Sequence, residues 1–209
     1  MTTTRERRTQ AERREHTITA LLDATVRCLA ERGYAATSTA AVCAEAGVSQ
    51  GALFRHFPTR QALLVATAEH VAASNVEEFR TTVGSEVDTV DDVAAVLAHL
   101  RAVVLSPANQ TWRELLVAAR ADADLREALH PAREALQARM LDAASDLWGD
   151  RLPVDDLAPV LSVVVNMLDG LAFSALDPDP AAVPGRTVER ALRLLAEMIV
   201  HRYHPQETA

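Results

Sequence analysis

Lysine is missing altogether from this 209-residue chain, so all 21 of its basic side chains are arginine. We ascribe the bias to codon usage in a GC-rich genome, and it also suits phosphate, whose oxygens match the guanidinium fork. Cysteine is nearly as scarce. Cys28 and Cys43 lie inside apolar helical patterns, not at the spacings of a metal site or a disulfide scaffold. They read as buried thiols acting as small hydrophobes. Uninterrupted apolar runs stay short of the ~18 residues a membrane span needs, which argues against a membrane partner. Residues 1–15 are polar and Arg-rich with no apolar stretch behind them, unlike a secretory signal, so a cytoplasmic location is expected. Gly-rich phosphate loops, Cys/His metal constellations and nucleophile elbows are also missing. No enzyme activity, cofactor or metal ligand is expected, and His201 and His204 read as solvated residues of a polar tail.

What is present is a helical vocabulary. Aromatics are 4% of the chain and glycines number seven, while Ala and unbranched side chains, which lose little freedom in a helix, are abundant. Hydrophobic residues make up 49% and mean hydropathy is near zero, as in ordinary globular proteins. The net charge of −8 argues at first against a nucleic-acid partner, but the charge is unevenly spread. Residues 1–60 carry nine Arg against six acids, a net of +3, and the rest carries 12 Arg against 23 acids, a net of −11. Screening confines such fields to ~10 Å, so a basic head on an acidic body meets phosphate in one orientation only.

Helical periodicity predicts an all-α fold of about nine helices. In the first, about Thr9 to Arg32, Ile18, Leu21, Leu22, Thr25, Cys28 and Leu29 share one face, and Gly33 ends it. The hydroxyl cluster Thr37-Ser38-Thr39 caps a short helix to Ala46, and Gly47 stops it. Ser49 caps another helix to about His56, and Pro58 starts a longer one to about Val83. Gly84-Ser85 reads as a break. Val93, Val96, Leu97, Leu100, Val103 and Val104 form the stripe of the next helix, and Ser106-Pro107 opens another in which Trp112, Leu115, Leu116 and Ala119 face inward. A stretch from Asp122 to Trp148 is interrupted or kinked near Pro131, and Gly149 to Pro153 is a turn. Leu157 to Leu176 is apolar nearly all round, which means burial on more than one side. A Pro-rich turn, Asp177 to Gly185, leads to a final helix with Val188, Ala191, Leu192, Leu195 and Ile199 aligned.

The informative segment runs from Gly33-Tyr34-Ala35-Ala36-Thr37-Ser38 through Ala46-Gly47-Val48-Ser49-Gln50-Gly51-Ala52-Leu53-Phe54-Arg55-His56-Phe57-Pro58. It describes two short helices joined by a tight turn at Gly47, where positive φ lets the second cross the first steeply. Val42, Val48 and Leu53 point inward and hold the angle. The second helix spans only ~10 Å, enough to enter a major groove about 12 Å wide. Its small or amide-bearing residues Ser49, Gln50 and Gly51 allow close approach and base reading.

This segment, about Thr17 to Leu64 and densest from Gly33 to Arg60, resembles the DNA-binding head of TetR-family regulators. The resemblance implies a homodimer with a three-helix DNA-binding head and a six-helix body that binds a small-molecule effector and dimerises. The implied boundaries are a flexible Arg-rich arm over residues 1–16, a DNA-binding domain over 12–75 with the helix-turn-helix at about 37–56, and a sensing and dimerisation domain over 76–205. Carried over by position, Thr37, Ser38 and Thr39 begin the second helix as phosphate or base contacts. Ser49, Gln50, Gly51 and Ala52 face the groove. Phe54, where the family commonly has Tyr, lacks the phosphate-touching hydroxyl. Arg55, His56 and Arg60 lie on the phosphate side, with Arg60 where a Lys commonly sits. Leu53, Phe57 and Tyr34 read as core packing. Arg5, Arg7 and Arg8 read as a solvated tail, or as an arm reaching the minor groove.

In the body, Trp112, Arg113, Met140, Leu147, Asn166, Met167, Asp169 and Phe173 are candidate pocket walls. Leu161, Val165, Leu168, Leu192, Leu195 and Ile199 are candidates for the dimer interface. Ser162, Asn166, Asp169 and Phe173 fall on one stripe of an apolar helix, so the Asp169 carboxylate needs a partner; pocket and interface both remain open. The function implied is a ligand-responsive regulator that binds double-stranded operator DNA, most simply a repressor released by its effector, with recognition helices about 34–36 Å apart or a near multiple of that. The alternatives are a helical scaffold and a redox-responsive regulator with no small-molecule effector.

Overall fold

The structure, a computed structural model, describes residues 9–83, 87–174 and 185–203. The Arg5-Arg7-Arg8 arm, the Gly84-Ser85 break, residues 177–184 of the Pro-rich turn and His204 lie outside them. Among the described residues there are nine α-helices and no strand: α1 (Gln10–Ala36), α2 (Thr39–Ala46), α3 (Gln50–His56), α4 (Arg60–Thr82), α5 (Val90–Leu105), α6 (Pro107–Ala119), α7 (Ala123–Trp148), α8 (Val154–Ser174) and α9 (Gly185–Tyr203). A single 3-10 turn, Gly149–Arg151, precedes α8.

Local chemistry sets the helix starts. Thr9 caps α1 through a reciprocal box, its hydroxyl accepting from the Glu12 N–H (3.2 Å) while Glu12 accepts from the Thr9 N–H (2.7 Å). Thr89 and Asp92 repeat the device at α5, and Ser106 caps α6 by accepting from Asn109 N–H. Three boundaries differ from expectation. α4 begins at Arg60, two residues after Pro58, because Thr59 caps it by accepting from Ala62 N–H. α8 begins at Val154 because the Pro153 carbonyl already accepts from Asp156 and Leu157. α7 continues through Pro131 as one helix; the lost N–H is the cost of that continuity.

Packing divides the chain into two units, one of residues 1–71 with 110–132 and one of 72–109 with 133–209. That grouping departs from a division near residue 75, because residues 110–132 pack with the head. In the first unit α1 carries two clusters. Leu21, Leu22, Cys28, Val42, Cys43, Leu53 and Phe57 hold α1 to α2 and α3. Leu29 packs with Leu64, Ala68, Leu115, Ala119, Leu125 and Leu129 from α4, α6 and α7.

In the second unit α5, α8 and α9 contribute Val93, Val96, Leu97, Val164, Leu168, Val188, Leu192, Ala196 and Ile199 to one core. This corrects three interface expectations. Leu168, Leu192 and Ile199 are buried within the chain itself, because they face the core side of α8 and α9 and have no free surface to offer. Leu161, Val165 and Leu195 are half-buried. Outward from α8 and α9 point Val163 (62% exposed), Phe173, Leu194 and Met198 (67%). α8 is also long and apolar enough to cross a membrane by length and composition, so the expectation on membrane spans holds only for uninterrupted runs. Its acidic residues Asp155, Asp156 and Asp169 and its buried Val164, Leu168 and Ala172 belong to a helix packed on a core.

Leu53 is fully buried and joins α3 to the head core. Leu53→Ala is expected to lower unfolding free energy by about 2–5 kcal/mol, read from the urea midpoint; a shift under about 1 kcal/mol would show that α3 is not anchored there.

Candidate nucleic-acid interface

The head is built around two capped turns. Ser38 Oγ accepts from the Ala41 N–H (3.1 Å) and starts α2; Ser49 Oγ accepts from the Ala52 N–H (3.2 Å) and starts α3. Between them Gly47 sits at φ 67°, ψ 30°, the left-handed conformation that side chains with a Cβ rarely adopt. Leu53 and Val42 are buried and Val48 half-buried behind the turn. The result is a seven-residue α3 whose inner face is spent on packing and whose outer face is free.

On that outer face Gln50, Gly51, Phe54 and Arg55 are exposed, with Ala52 and His56 half-buried at its edges. Helical spacing puts positions i, i+1, i+4 and i+5 in one sector, so an amide, a bare backbone, an aromatic ring and a guanidinium stand side by side. Phe54 leaves 45% of its area in water, an unpartnered apolar surface between polar neighbours. Ser38 and Ser49 are exposed and Thr39 half-buried.

Two expected contacts are placed otherwise. Thr37 is 1% exposed and its hydroxyl donates to the Gly33 carbonyl (2.8 Å), so its side chain closes the α1–α2 connection and does not reach outward. Arg60 is turned inward as well. Its Nε donates to the Thr37 carbonyl (2.9 Å), its Nη2 to the Tyr34 carbonyl (2.7 Å), and its guanidinium lies 4.3 Å from the centre of the Tyr34 ring. The charge stands where a phosphate contact was expected, but these two donors hold the chain entering α2.

Around the head, Arg27 donates to Glu45 (2.8 Å) and Arg32 lies 3.5 Å from the same carboxylate. The hydrogen bond from Arg27 holds the Glu45 carboxyl below its ordinary range, so this acid stays neutralised by its neighbours. The pair is exposed and contributes little stability. Cys28 and Cys43 are buried and reduced. Burial pushes both thiols up, and the protonated thiol is the unreactive form.

The candidate pocket residues are not gathered in one unit. Trp112 and Arg113 belong to the first, Trp112 packing on its Leu29 and Leu115 cluster; Met140, Leu147, Asn166, Met167, Asp169 and Phe173 belong to the second. Within the second, Leu147 is buried core and Met140, Met167 and Asp169 are half-buried. Asn166 and Phe173 are exposed, with Asn166 Nδ2 donating to the Ser162 carbonyl (2.7 Å). Sequence reasoning passed over His99. Its Nε2 is buried with no hydrogen-bond partner among the described residues, and its ring lies 6.1 Å from that of Phe79. The available signal was one imidazole at the edge of the apolar stripe of α5.

The family description for bacterial regulatory proteins of the tetR family matches residues 21–67, the α1–α4 segment that presents this surface. Across 167 residues the chain is 37% identical to an uncharacterized HTH-type transcriptional regulator, Rv2912c, of Mycobacterium tuberculosis, covering 79% of this chain and 86% of that one. A TetR-family transcriptional regulator from Mesorhizobium loti superposes with a TM-score of 0.71 at 18% identity, over 91% of this chain and 98% of that chain. FadR of Bacillus subtilis, solved with stearoyl-CoA, superposes at 0.63 with 14% identity, over 87% and 97%. The chain belongs to the TetR family of bacterial regulatory proteins. It is a helix-turn-helix transcriptional regulator.

Arg60→Ala is expected to lower head stability by about 2–3 kcal/mol, since it removes two charge-assisted hydrogen bonds and a cation–π contact. Urea unfolding measures it. An arginine used only for phosphate would instead leave stability unchanged and reduce the salt slope of DNA binding by about one.

Proposed function

We propose that the protein represses transcription by placing the outer face of α3 in the major groove of an operator, as a homodimer, and leaves it when a small molecule binds the second unit. The observation that carries this is the face itself: Gln50, Gly51, Phe54 and Arg55 exposed together on a short helix whose other side is buried. Gln50 is the base-reading amide, Gly51 lets the backbone come close, and Phe54 supplies apolar contact to bases or sugars. Arg55, His56, Ser38, Thr39, Ser49 and Ala52 flank them toward the phosphates. The +3 head on a −11 remainder favours approach of the head first.

Dimerisation is assigned to the outward faces of α8 and α9, where Val163, Phe173, Leu194 and Met198 expose apolar area that a second copy covers. Effector binding is assigned to the second unit. FadR, alike in fold, was solved with stearoyl-CoA, and His99 Nε2, buried beside Phe79 with no hydrogen-bond partner among the described residues, is a polar group that a ligand would satisfy. The effector binds the off-DNA state more tightly than the DNA-bound one; otherwise it shifts nothing. Such a protein works in the cytoplasm, where its operator is, and needs no catalysis. The buried, protonated thiols favour an effector over a redox trigger.

Gln50→Ala should weaken binding to a duplex selected from random sequence by about 1–3 kcal/mol and leave the dimer intact. Phe173→Glu combined with Met198→Glu should yield monomers in sedimentation and lose operator affinity with them. Unchanged affinity in the first variant refutes the reading surface; a persistent dimer in the second refutes the interface.

A further inference from the structure

Gly33 breaks α1 at φ 73°, ψ 174°, a region open essentially to glycine alone. In an unbroken helix the Tyr34 N–H would face the Ala30 carbonyl. Across the break each of these groups has a side-chain partner from α6. Glu114 Oε2 accepts from the Tyr34 N–H (3.3 Å), and Gln110 Nε2 donates to the Ala30 carbonyl (3.4 Å). Gln110 and Glu114 are four residues apart, hence on one face of α6, and between them Thr111 Oγ1 donates to the Val26 carbonyl (3.3 Å). Asp122, just beyond α6, accepts from the Tyr34 hydroxyl (3.5 Å). From the other side Arg60 takes the Tyr34 and Thr37 carbonyls. Residues 33–38, which deliver the chain into α2 and so aim α3, are thereby held by α6 on one side and by the first residue of α4 on the other.

We propose that Glu114 is a positioning residue for operator recognition: by fixing the Tyr34 N–H it sets the angle at which α2 and α3 leave α1, and α6 is a working part of the DNA-reading head. This rests on the reading that α3 enters the groove. A positioning role has a distinct signature. Non-specific DNA affinity is set by the number of phosphates neutralised and tolerates a tilted head; specific affinity requires base edges to meet side chains in register. Loosening residues 33–38 therefore lowers the first little and the second strongly.

The test compares Glu114→Ala and Glu114→Gln with wild type, measuring affinity for the selected operator and for an unrelated duplex across a salt series. Glu114→Ala is expected to lose about tenfold in operator affinity while affinity for the unrelated duplex and the salt slope stay within about twofold. Glu114→Gln keeps an oxygen acceptor for the Tyr34 N–H and should recover operator affinity to within about threefold. Equal losses on both duplexes, no loss at all, or no recovery with glutamine overturns the proposal. Should Glu114→Ala unfold by circular dichroism, Glu114→Leu, which removes the acceptor but keeps the side-chain bulk, takes its place with the same expectations. If wild-type protein fails to discriminate between duplexes, the DNA-reading assignment falls; if only the variants misbehave, this inference alone falls.

Discussion

Everything in the head depends on how one broken helix is satisfied. A helix end leaves N–H and C=O groups without partners, and a break in mid-helix leaves more of them close to the core. Here the groups around Gly33 are bonded by Gln110, Glu114 and Arg60, three residues distant in sequence from the break. On either side of these bonds Leu29 and Tyr34 pack on α6 and α7, and Leu21, Leu22 and Cys28 pack on α2 and α3. α1 is thus the shared wall of two clusters, and the break near its end is where their demands meet.

The same economy explains why Arg60 turns inward. A guanidinium at Arg60 carries five donors in a rigid fork, and two of them suit carbonyls 2.7 and 2.9 Å away with a ring beneath. A shorter or single-point cation could not hold two carbonyls and a ring at once. The long-range field of the head does not require Arg60 to reach outward, because charge steers over a Debye length whichever way it points.

The second unit shows a different balance. Its core from α5, α8 and α9 is almost wholly aliphatic, which provides burial with little directional specificity, while Val163 and Phe173 on α8 and Leu194 and Met198 on α9 remain exposed. His99 differs from these side chains: its buried Nε2 has no hydrogen-bond partner among the described residues, and such groups are rare in native proteins.

The sequence alone determined the helix count, the helix starts near Thr9 and Thr89, the caps at Ser38, Ser49 and Ser106, the positive-φ turn at Gly47 and the outward placing of Gln50 and Gly51 on α3. Each of these follows from neighbours within about four positions, where propensity, capping and period act. It did not determine the inward turn of Arg60, the burial of Thr37, the placing of Leu168, Leu192 and Ile199 in the core, or the grouping of residues 110–132 with the head. Those depend on partners tens of residues away, such as Glu114 and Gln110 lying 80 positions from the groups they bond. Periodicity reports that a residue has an apolar or polar side to face, but only the packed chain decides which of several surfaces it faces.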